Sequence, residues 1–97
     1  MKMSYSIRLS QAVQRDLDDL PTRMLDELAN KHFPRISQDP RKVGRPKKGV
    51  LSGIWGYDFG PKVGYRILYE IHDKEQMVLV IAIGPHDQAY RRASRRR

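Results

Sequence analysis

The fold is decided by two runs of residues, Gly64-Tyr65-Arg66-Ile67-Leu68-Tyr69-Glu70-Ile71 and Met77-Val78-Leu79-Val80-Ile81-Ala82-Ile83, with a short polar turn between them. The first run alternates like a strand, so that its tyrosines and isoleucines share one face and Arg66 lies on the other. The second run is apolar on both faces, which is typical of a central strand, and it ends at Gly84-Pro85-His86. Folding of these neighbouring strands is therefore expected to bring Arg66 beside His86 and Tyr90.

The first part of the chain predicts one strand and two helices. Residues 3–9 alternate between apolar and polar side chains, which indicates a half-buried strand. Ser10 is suited to cap a helix that Pro21 breaks. Thr22 is suited to cap a second helix, with one apolar stripe, that Pro34 ends. We expect a helical hairpin that lies over a sheet.

The remaining segments have weaker patterns. Residues 35–50 contain two prolines, two glycines and no sustained periodicity, so they predict an ordered, exposed loop. Residues 51–57 favour a short strand and residues 59–62 a turn. Residues 87–93 predict one or two turns of helix, and residues 94–97 a frayed tail.

Length and composition favour one small domain over residues 1–97. A chain of 97 residues buries roughly 60 to 68% of the surface that it exposes when unfolded, which is enough for one modest core. The absence of cysteine excludes a disulfide framework and a thiolate metal site. There is no apolar signal core and no run near the roughly 20 apolar residues that cross a bilayer, so we expect a cytoplasmic protein without a membrane partner.

The net charge of +8 is concentrated in two blocks. Residues 41–50 carry five basic side chains and no acidic one, and residues 85–97 carry five arginines and one aspartate. The rest of the chain is nearly neutral. Two basic blocks on a neutral scaffold are typical of a protein that binds a polyanion, although a solvated basic surface with a disordered tail gives the same count.

Three residues are candidates for cutting a phosphodiester, a reaction that needs a base, an acid and fixed positive charge. Arg66 offers a planar fork to phosphate oxygens, with a salt bridge to Glu70 or Asp58 as the alternative. His86 offers an imidazole that can accept a proton near neutral pH, with a solvated loop histidine as the alternative. Tyr90 can donate a proton or stack on a base, or it can simply tether the tail.

Several cations are expected to contact the RNA backbone or to steer it: Lys47, Lys48, Lys62, Arg45 and Arg91. A solvated loop explains any one of them equally well. His32 lies on the apolar stripe of the second helix, where a core or partner-facing position is expected. The three histidines do not have metal-ligand spacing, so no metal site is predicted.

The order of these elements resembles the RelE/ParE superfamily of toxins from bacterial type II toxin-antitoxin systems. The resemblance covers residues 3–92 and is sharpest in residues 65–71 and 84–90. It implies an α+β fold in which a two-helix hairpin packs on one face of a four-stranded, mostly antiparallel sheet, with a short C-terminal helix or tail. It also implies a cognate antitoxin partner, through which alone the toxin would reach operator DNA.

The resemblance leaves the activity open between two classes. Members similar to RelE cleave mRNA in the ribosomal A site without a metal or other cofactor, whereas members similar to ParE poison DNA gyrase. Fold alone does not separate them, and a degenerate, nontoxic nucleic-acid-binding member is a third possibility. A gyrase inhibitor has no chemical need of His86 and Tyr90, so the sequence favours a ribosome-dependent mRNA endonuclease that inhibits translation.

Two positions depart from the usual pattern of this superfamily. Many members end the last strand in Gly-His-Arg, where this chain has Gly84-Pro85-His86. Many have basic residues before the central Tyr-Arg, where this chain has Tyr57-Asp58. Both differences are expected either to lower catalytic power or to mark a variant site.

Overall fold

The structure is a computed structural model that describes residues 4–96 of the chain. A mixed sheet of five strands has the order β1-β5-β4-β3-β2. The strands are β1 Ser6–Leu9, β2 Arg45–Pro46, β3 Trp55–Phe59, β4 Tyr65–His72 and β5 Met77–Pro85. β1 runs parallel to β5, and the other pairs are antiparallel. The predicted α+β fold with a mostly antiparallel sheet is confirmed, but the sheet has five strands instead of four because part of the basic loop pairs with β3.

Five α-helices accompany the sheet in residues 4–96. They are α1 Gln11–Asp18, α2 Thr22–Glu27, α3 Phe33–Gln38, α4 Pro40–Val43 and α5 His86–Arg96. The predicted Ser10 cap is confirmed, since its hydroxyl accepts a hydrogen bond from the Val13 backbone nitrogen at 3.4 Å. The predicted Thr22 cap is wrong: Pro21 occupies the cap position of α2, and Thr22 is the first helical residue. No helix in this described part of the chain is both long and apolar enough to cross a membrane.

The second helix does not end at Pro34. A π-helical turn, Leu28–His32, joins α2 to α3, and the Phe33 N–H donates to the Leu28 carbonyl. Pro34 then lies in the first turn of α3. There its missing N–H costs no helical hydrogen bond, so the chain stays helical across residues 22–38.

Residues 35–50 are more regular than the predicted loop. Residues 35–38 complete α3, and the rest contributes α4, β2 and the start of a 3₁₀ turn, Gly49–Leu51. The strand predicted from residue 51 begins only at Trp55, because that turn and the positive φ of 92° at Gly53 interrupt the extended backbone. A second 3₁₀ turn, Pro61–Val63, joins β3 to β4.

The sheet has a hydrophobic core on each face. The first core lies under α1, α2 and α3, and its buried members are Val13, Leu20, Met24, Leu28, Ile36, Tyr57, Phe59, Ile67, Tyr69, Val78, Val80 and Ile83. The second lies under α5, and its buried members are Leu51, Ile54, Leu68, Ile81, Ala82, Ala89 and Ala93. The predicted alternation of β4 is confirmed, because Ile67 and Tyr69 belong to one core and Leu68 to the other. α5 thus covers the face of the sheet opposite the helical hairpin.

α5 continues through Arg96, where the sequence suggested a frayed tail from residue 94; Arg97 lies outside the described residues. The cause is an anchor at the edge of β5. β1 ends opposite Val80, so the next residues of β5 lack a strand on that side. The Ile83 N–H donates instead to the carboxylate of Asp16 at 3.0 Å, and Arg96 donates to the Ile81 carbonyl at 2.9 Å. Side chains therefore continue the hydrogen bonding where the backbone ladder stops.

Candidate functional site

Arg66 lies at the centre of a polar cluster between the sheet and α5. It is only 8% exposed, and it lies on the face of β4 opposite Ile67 and Tyr69, as the alternation of the strand predicted. Its Nε donates to Asp58 Oδ1 and its Nη1 donates to the Tyr90 hydroxyl, each at 2.5 Å. Asp58 faces Arg66 directly in the β3–β4 register. The suggested Asp58 salt bridge is therefore present, and it coexists with the contact to Tyr90.

His86 and Tyr90 reach the cluster from the first turns of α5. Their ring centroids lie 5.4 Å apart, and the guanidinium carbon of Arg66 lies 5.1 Å from the Tyr90 ring centroid. The His86 backbone N–H donates to the Gly64 carbonyl at 3.0 Å, which joins the start of α5 to the turn before β4. The His86 side chain remains 44% exposed. The structure thus brings Arg66, His86 and Tyr90 together.

Lys47 crosses β3 to reach the same cluster. Its Nζ lies 5.7 Å from the centroid of the Tyr90 ring, within range of a cation–π interaction. The glycine at position 56 makes this path possible, because a Cβ there would lie 2.6 Å from Lys47 Cε. A backbone hydrogen bond of 2.8 Å from Lys47 to the Ile54 carbonyl holds the start of the side chain in place.

Asp58 is a member of the site that the sequence suggested only as a salt-bridge partner. Partial burial by itself would raise the pKa of Asp58. The hydrogen bond and charge of Arg66, with smaller contributions from His86 and Lys47, outweigh that effect and hold the pKa below its usual value. The carboxylate is therefore ionised at neutral pH and offsets part of the positive charge. The register with Arg66 is the signal that identifies it, and only the folded sheet supplies that register.

The other residues predicted to contact phosphate are exposed, and they lie outside the cluster of Arg66, His86, Tyr90 and Lys47. Arg45 pairs with Gly56, so it shares the face of the sheet that carries Arg66, and it is exposed. Lys48 and Lys62 are exposed on the loops next to Lys47 and next to Gly64. Arg91 is not brought into the cluster: it lines a shallow surface pocket with three other residues of α5, Gln88, Arg92 and Arg95.

The remaining histidines have structural partners. His32 is 5% exposed, and its Nδ1 lies 2.8 Å from the Tyr57 hydroxyl, which confirms the expected core position. His72 Nε2 lies 2.9 Å from Glu70 Oε1 at the end of β4. Within residues 4–96 no group of three or more histidine or carboxylate side chains is arranged to hold a metal ion.

Comparison with known families identifies the chain. A family model described as the ParE-like toxin of type II bacterial toxin-antitoxin systems matches residues 7–94. The chain belongs to this family of ParE-like toxins. Two toxins of Mycobacterium tuberculosis are similar to it: RelG, 32% identical over 90 residues that cover 93% of this chain and all of RelG, and RelE, 26% identical over 87 residues that cover 90% and 87% of the two chains.

Solved structures of such toxins share the fold of this one. The toxin-antitoxin complex RelBE2 of M. tuberculosis contains a chain that superposes with a TM-score of 0.79 at 29% identity, covering 89% of this toxin and 95% of that chain. A variant of the E. coli toxin RelE in the free state superposes with a TM-score of 0.76 at 19% identity, covering 97% and 98%. At that identity the second match supports the fold alone.

Proposed function

We propose that this toxin is a ribosome-dependent mRNA endonuclease that inhibits translation. The observation that carries the proposal is the convergence of Arg66, His86 and Tyr90 with Lys47 in one polar cluster between the sheet and α5, hereafter the Arg66 cleft. The similarity to RelG and RelE supports it, because the RelE-like members of the superfamily are those that cut mRNA. In the cell the site would act on a message held by the ribosome.

The proposed reaction is attack of a ribose 2′-oxygen on the adjacent phosphorus. A base takes the 2′-hydroxyl proton, the bond from phosphorus to the 5′-oxygen breaks, and an acid returns a proton to that oxygen. The products are a 2′,3′-cyclic phosphate and a 5′-hydroxyl end. General acid and base groups typically contribute about 10²- to 10⁴-fold each, and one electrostatic donor about 10²- to 10³-fold, so a few side chains suffice.

Arg66 is assigned to the charge that develops on the phosphate. Its two hydrogen bonds, to Asp58 and Tyr90, hold the guanidinium plane in one orientation, so little reorganisation is needed during the reaction. The side chain is nearly buried, so a phosphate oxygen reaches it by displacing the Tyr90 hydroxyl. That displacement frees the phenol to donate a proton or to stack on a base. Asp58 keeps the guanidinium in position throughout.

His86 and Tyr90 divide the acid-base and stacking work, because both are partly exposed at the mouth of the cleft. Lys47, whose Nζ lies 5.7 Å from the centroid of the Tyr90 ring, contributes a second positive charge for the phosphate. The exposed cations Arg45, Lys48 and Lys62 attract the RNA backbone, and Arg91 contributes only to long-range attraction.

We further propose that a cognate antitoxin protein neutralises this toxin. A structurally similar chain, 29% identical, comes from the toxin-antitoxin complex RelBE2 of M. tuberculosis. An antitoxin that covers the basic surface around the Arg66 cleft would exclude mRNA. Contact with operator DNA would then run through the antitoxin alone.

The test is a purified translation system in which the 5′ ends of ribosome-bound mRNA are mapped after the toxin is added. Cuts at fixed codon positions are expected, and Arg66→Ala should abolish them. Arg15→Ala is the matched control, because it removes an exposed arginine of α1 far along the chain from the cleft residues. Intact messages, together with trapped gyrase–DNA breaks in cells that express the toxin, would show that it is a gyrase inhibitor and not a nuclease.

A further inference from the structure

A second concave site lies on the helical side of the sheet, hereafter the helical groove. It has a volume of about 450 Å³, within the range of small-ligand sites. The helical segment 22–38 forms one wall, and β3 with the turn Pro61–Val63 forms the other. Arg66, His86, Tyr90 and Lys47 are not among the residues that line it, whereas Asp58 is.

Three cations stand on the rim of the helical groove: Arg23, Lys31 and Arg35. All three side chains are exposed, and within residues 4–96 none of them forms a hydrogen bond or an ion pair. The groove is also bordered by Glu27 and Asp58, but Asp58 is already paired with Arg66. Positive charge is therefore in excess, which favours an anionic ligand.

The buried imidazole of His32 adds a hydrogen-bond donor to the helical groove. Its Nδ1 lies 2.8 Å from the Tyr57 hydroxyl, whereas its Nε2 is buried and lies 3.6 Å from Glu27 Oε1, beyond hydrogen-bond distance. Burial lowers the pKa of His32 more than the Glu27 carboxylate raises it, so the ring is neutral at neutral pH and carries a single N–H. When Tyr57 donates to Nδ1, that N–H is on Nε2. A buried donor without a partner is costly, and a ligand acceptor would satisfy it.

Apolar side chains line the helical groove between its rim cations. Met24 and Phe59 are nearly buried, and the Phe59 ring packs between His32 and Tyr65 with centroids 5.1 Å and 5.8 Å away. Pro61 and Val63 of the turn also line the groove, and both are exposed. Exposed apolar side chains of this kind suit the face of a nucleobase.

The helical groove is adjacent to the Arg66 cleft, although the two lie on opposite sides of the sheet. Asp58 lines the groove and binds Arg66, and the turn Pro61–Val63 leads directly to Gly64, whose carbonyl accepts from the His86 backbone N–H. An RNA strand that leaves the cleft and passes around the end of β3 at this turn would reach the groove. The rim cations alone would attract an acidic peptide as well as a nucleotide. Because the groove lies next to the proposed RNA-cutting site, a nucleotide is the favoured ligand.

We propose that the helical groove binds the nucleotide next to the scissile linkage, an inference that rests on the proposed function. The base lies against Pro61 and Val63, the phosphate is held by Lys31 and Arg35, and His32 Nε2–H donates to an acceptor of the nucleotide. The groove thereby fixes which linkage of the message enters the cleft.

The experiment is a titration of the ¹⁵N-labelled toxin with a 2′-O-methyl RNA trinucleotide, which cannot be cut because it lacks the attacking hydroxyl. The amide signals of Lys31 and Gly60 report on the groove, and that of Tyr90 reports on the cleft. Both sets are expected to shift with the same apparent Kd. The double variant Lys31→Ala/Arg35→Ala should weaken binding about fivefold or more, because two phosphate contacts are lost. The control Arg15→Ala/Lys74→Ala removes the same charge elsewhere and should change the Kd less than about twofold.

The proposal is overturned if the trinucleotide shifts only the cleft signals, or if the groove variant binds as the control does. Binding of a hexaglutamate peptide at Lys31 and Gly60, with no response there to RNA, would also overturn it and assign the groove to a protein partner. The experiments distinguish failure of the nuclease proposal from failure of the nucleotide-site proposal. RNA bound in the groove of a toxin that never cuts ribosome-bound mRNA refutes the nuclease, whereas mRNA cutting without groove signals refutes the nucleotide site.

Discussion

The carboxylate of Asp16 and the guanidinium of Arg96 form a two-point ion pair between α1 and the last turn of α5. Nη1 lies 2.7 Å from Oδ2 and Nη2 lies 2.8 Å from Oδ1. Asp16 is 2% exposed, and Arg92 approaches the same carboxylate at 3.4 Å. This buried carboxylate holds α5 against the sheet, and α5 carries His86 and Tyr90. A residue of the first helix thus helps to position the cleft.

We expect Asp16→Asn to lower the free energy of unfolding by about 3 kcal/mol, because it leaves two largely buried guanidinium groups without their counter-charge. Urea denaturation at neutral pH measures the change. Asp18→Asn, at an exposed position of the same helix, is the control and should change stability by less than about 0.5 kcal/mol. An Asp16 variant as stable as this control would show that the ion pair does not anchor α5.

The pairing of Asp58 with Arg66 predicts acid sensitivity. The pKa of Asp58 is lowered in the folded state, so the unfolded chain binds more protons in acid, and this part of the stability is lost as pH falls below about 4. At pH 7 we expect Asp58→Asn to cost about 1 kcal/mol, a modest value because the side chain is 42% exposed and solvent screens the pair. The free energies of unfolding of the two proteins should approach each other as the pH falls through the folded-state pKa of Asp58. A difference that persists below that pKa would rule out Asp58 as the titrating group.

Two substitutions of Tyr90 separate proton transfer from stacking. If the phenol donates a proton, Tyr90→Phe should slow the cutting of ribosome-bound mRNA about 10²-fold under single-turnover conditions. Tyr90→Ala should in addition weaken RNA binding, because the ring contacts with Lys47 and Arg66 are lost. If the Tyr90→Phe toxin cuts at the wild-type rate, the phenol does not transfer a proton and the ring acts only by stacking.

Gly56 keeps open the path of Lys47 across β3. In Gly56→Ala the new methyl group meets Lys47 Cε at 2.6 Å and Arg66 Cδ at 3.3 Å, so the lysine chain has to move away from Tyr90. We expect mRNA cutting to fall about tenfold, as for Lys47→Ala.

The double variant Lys47→Ala/Gly56→Ala should cut mRNA no more slowly than either single variant, because both changes remove the same contact. Gly64→Ala, whose methyl group has ordinary contacts at 3.4 Å, is the control for adding a side chain nearby. Additive effects of the two changes would disprove the link between them.

Local patterns account for what the sequence predicts correctly. The alternation of β4 and the Ser10 cap depend on neighbours a few positions away, so they are visible in one dimension. The meeting of Arg66 with His86 and Tyr90 also follows from the sequence, because a short turn joins β4, which carries Arg66, to β5, which leads directly into His86 and Tyr90. These features determine the α+β fold and the family.

Long-range contacts decide the rest, because they depend on register and on partners far apart in the chain. The π turn that carries the helix past Pro34 and the entry of Asp58 into the cleft are set by packing between elements. So is the anchoring of α5 by Asp16, which occurs where β1 is too short to pair with the end of β5. No local pattern of residues encodes such a meeting, since each partner gains its role only when the sheet brings the other within a hydrogen bond's length.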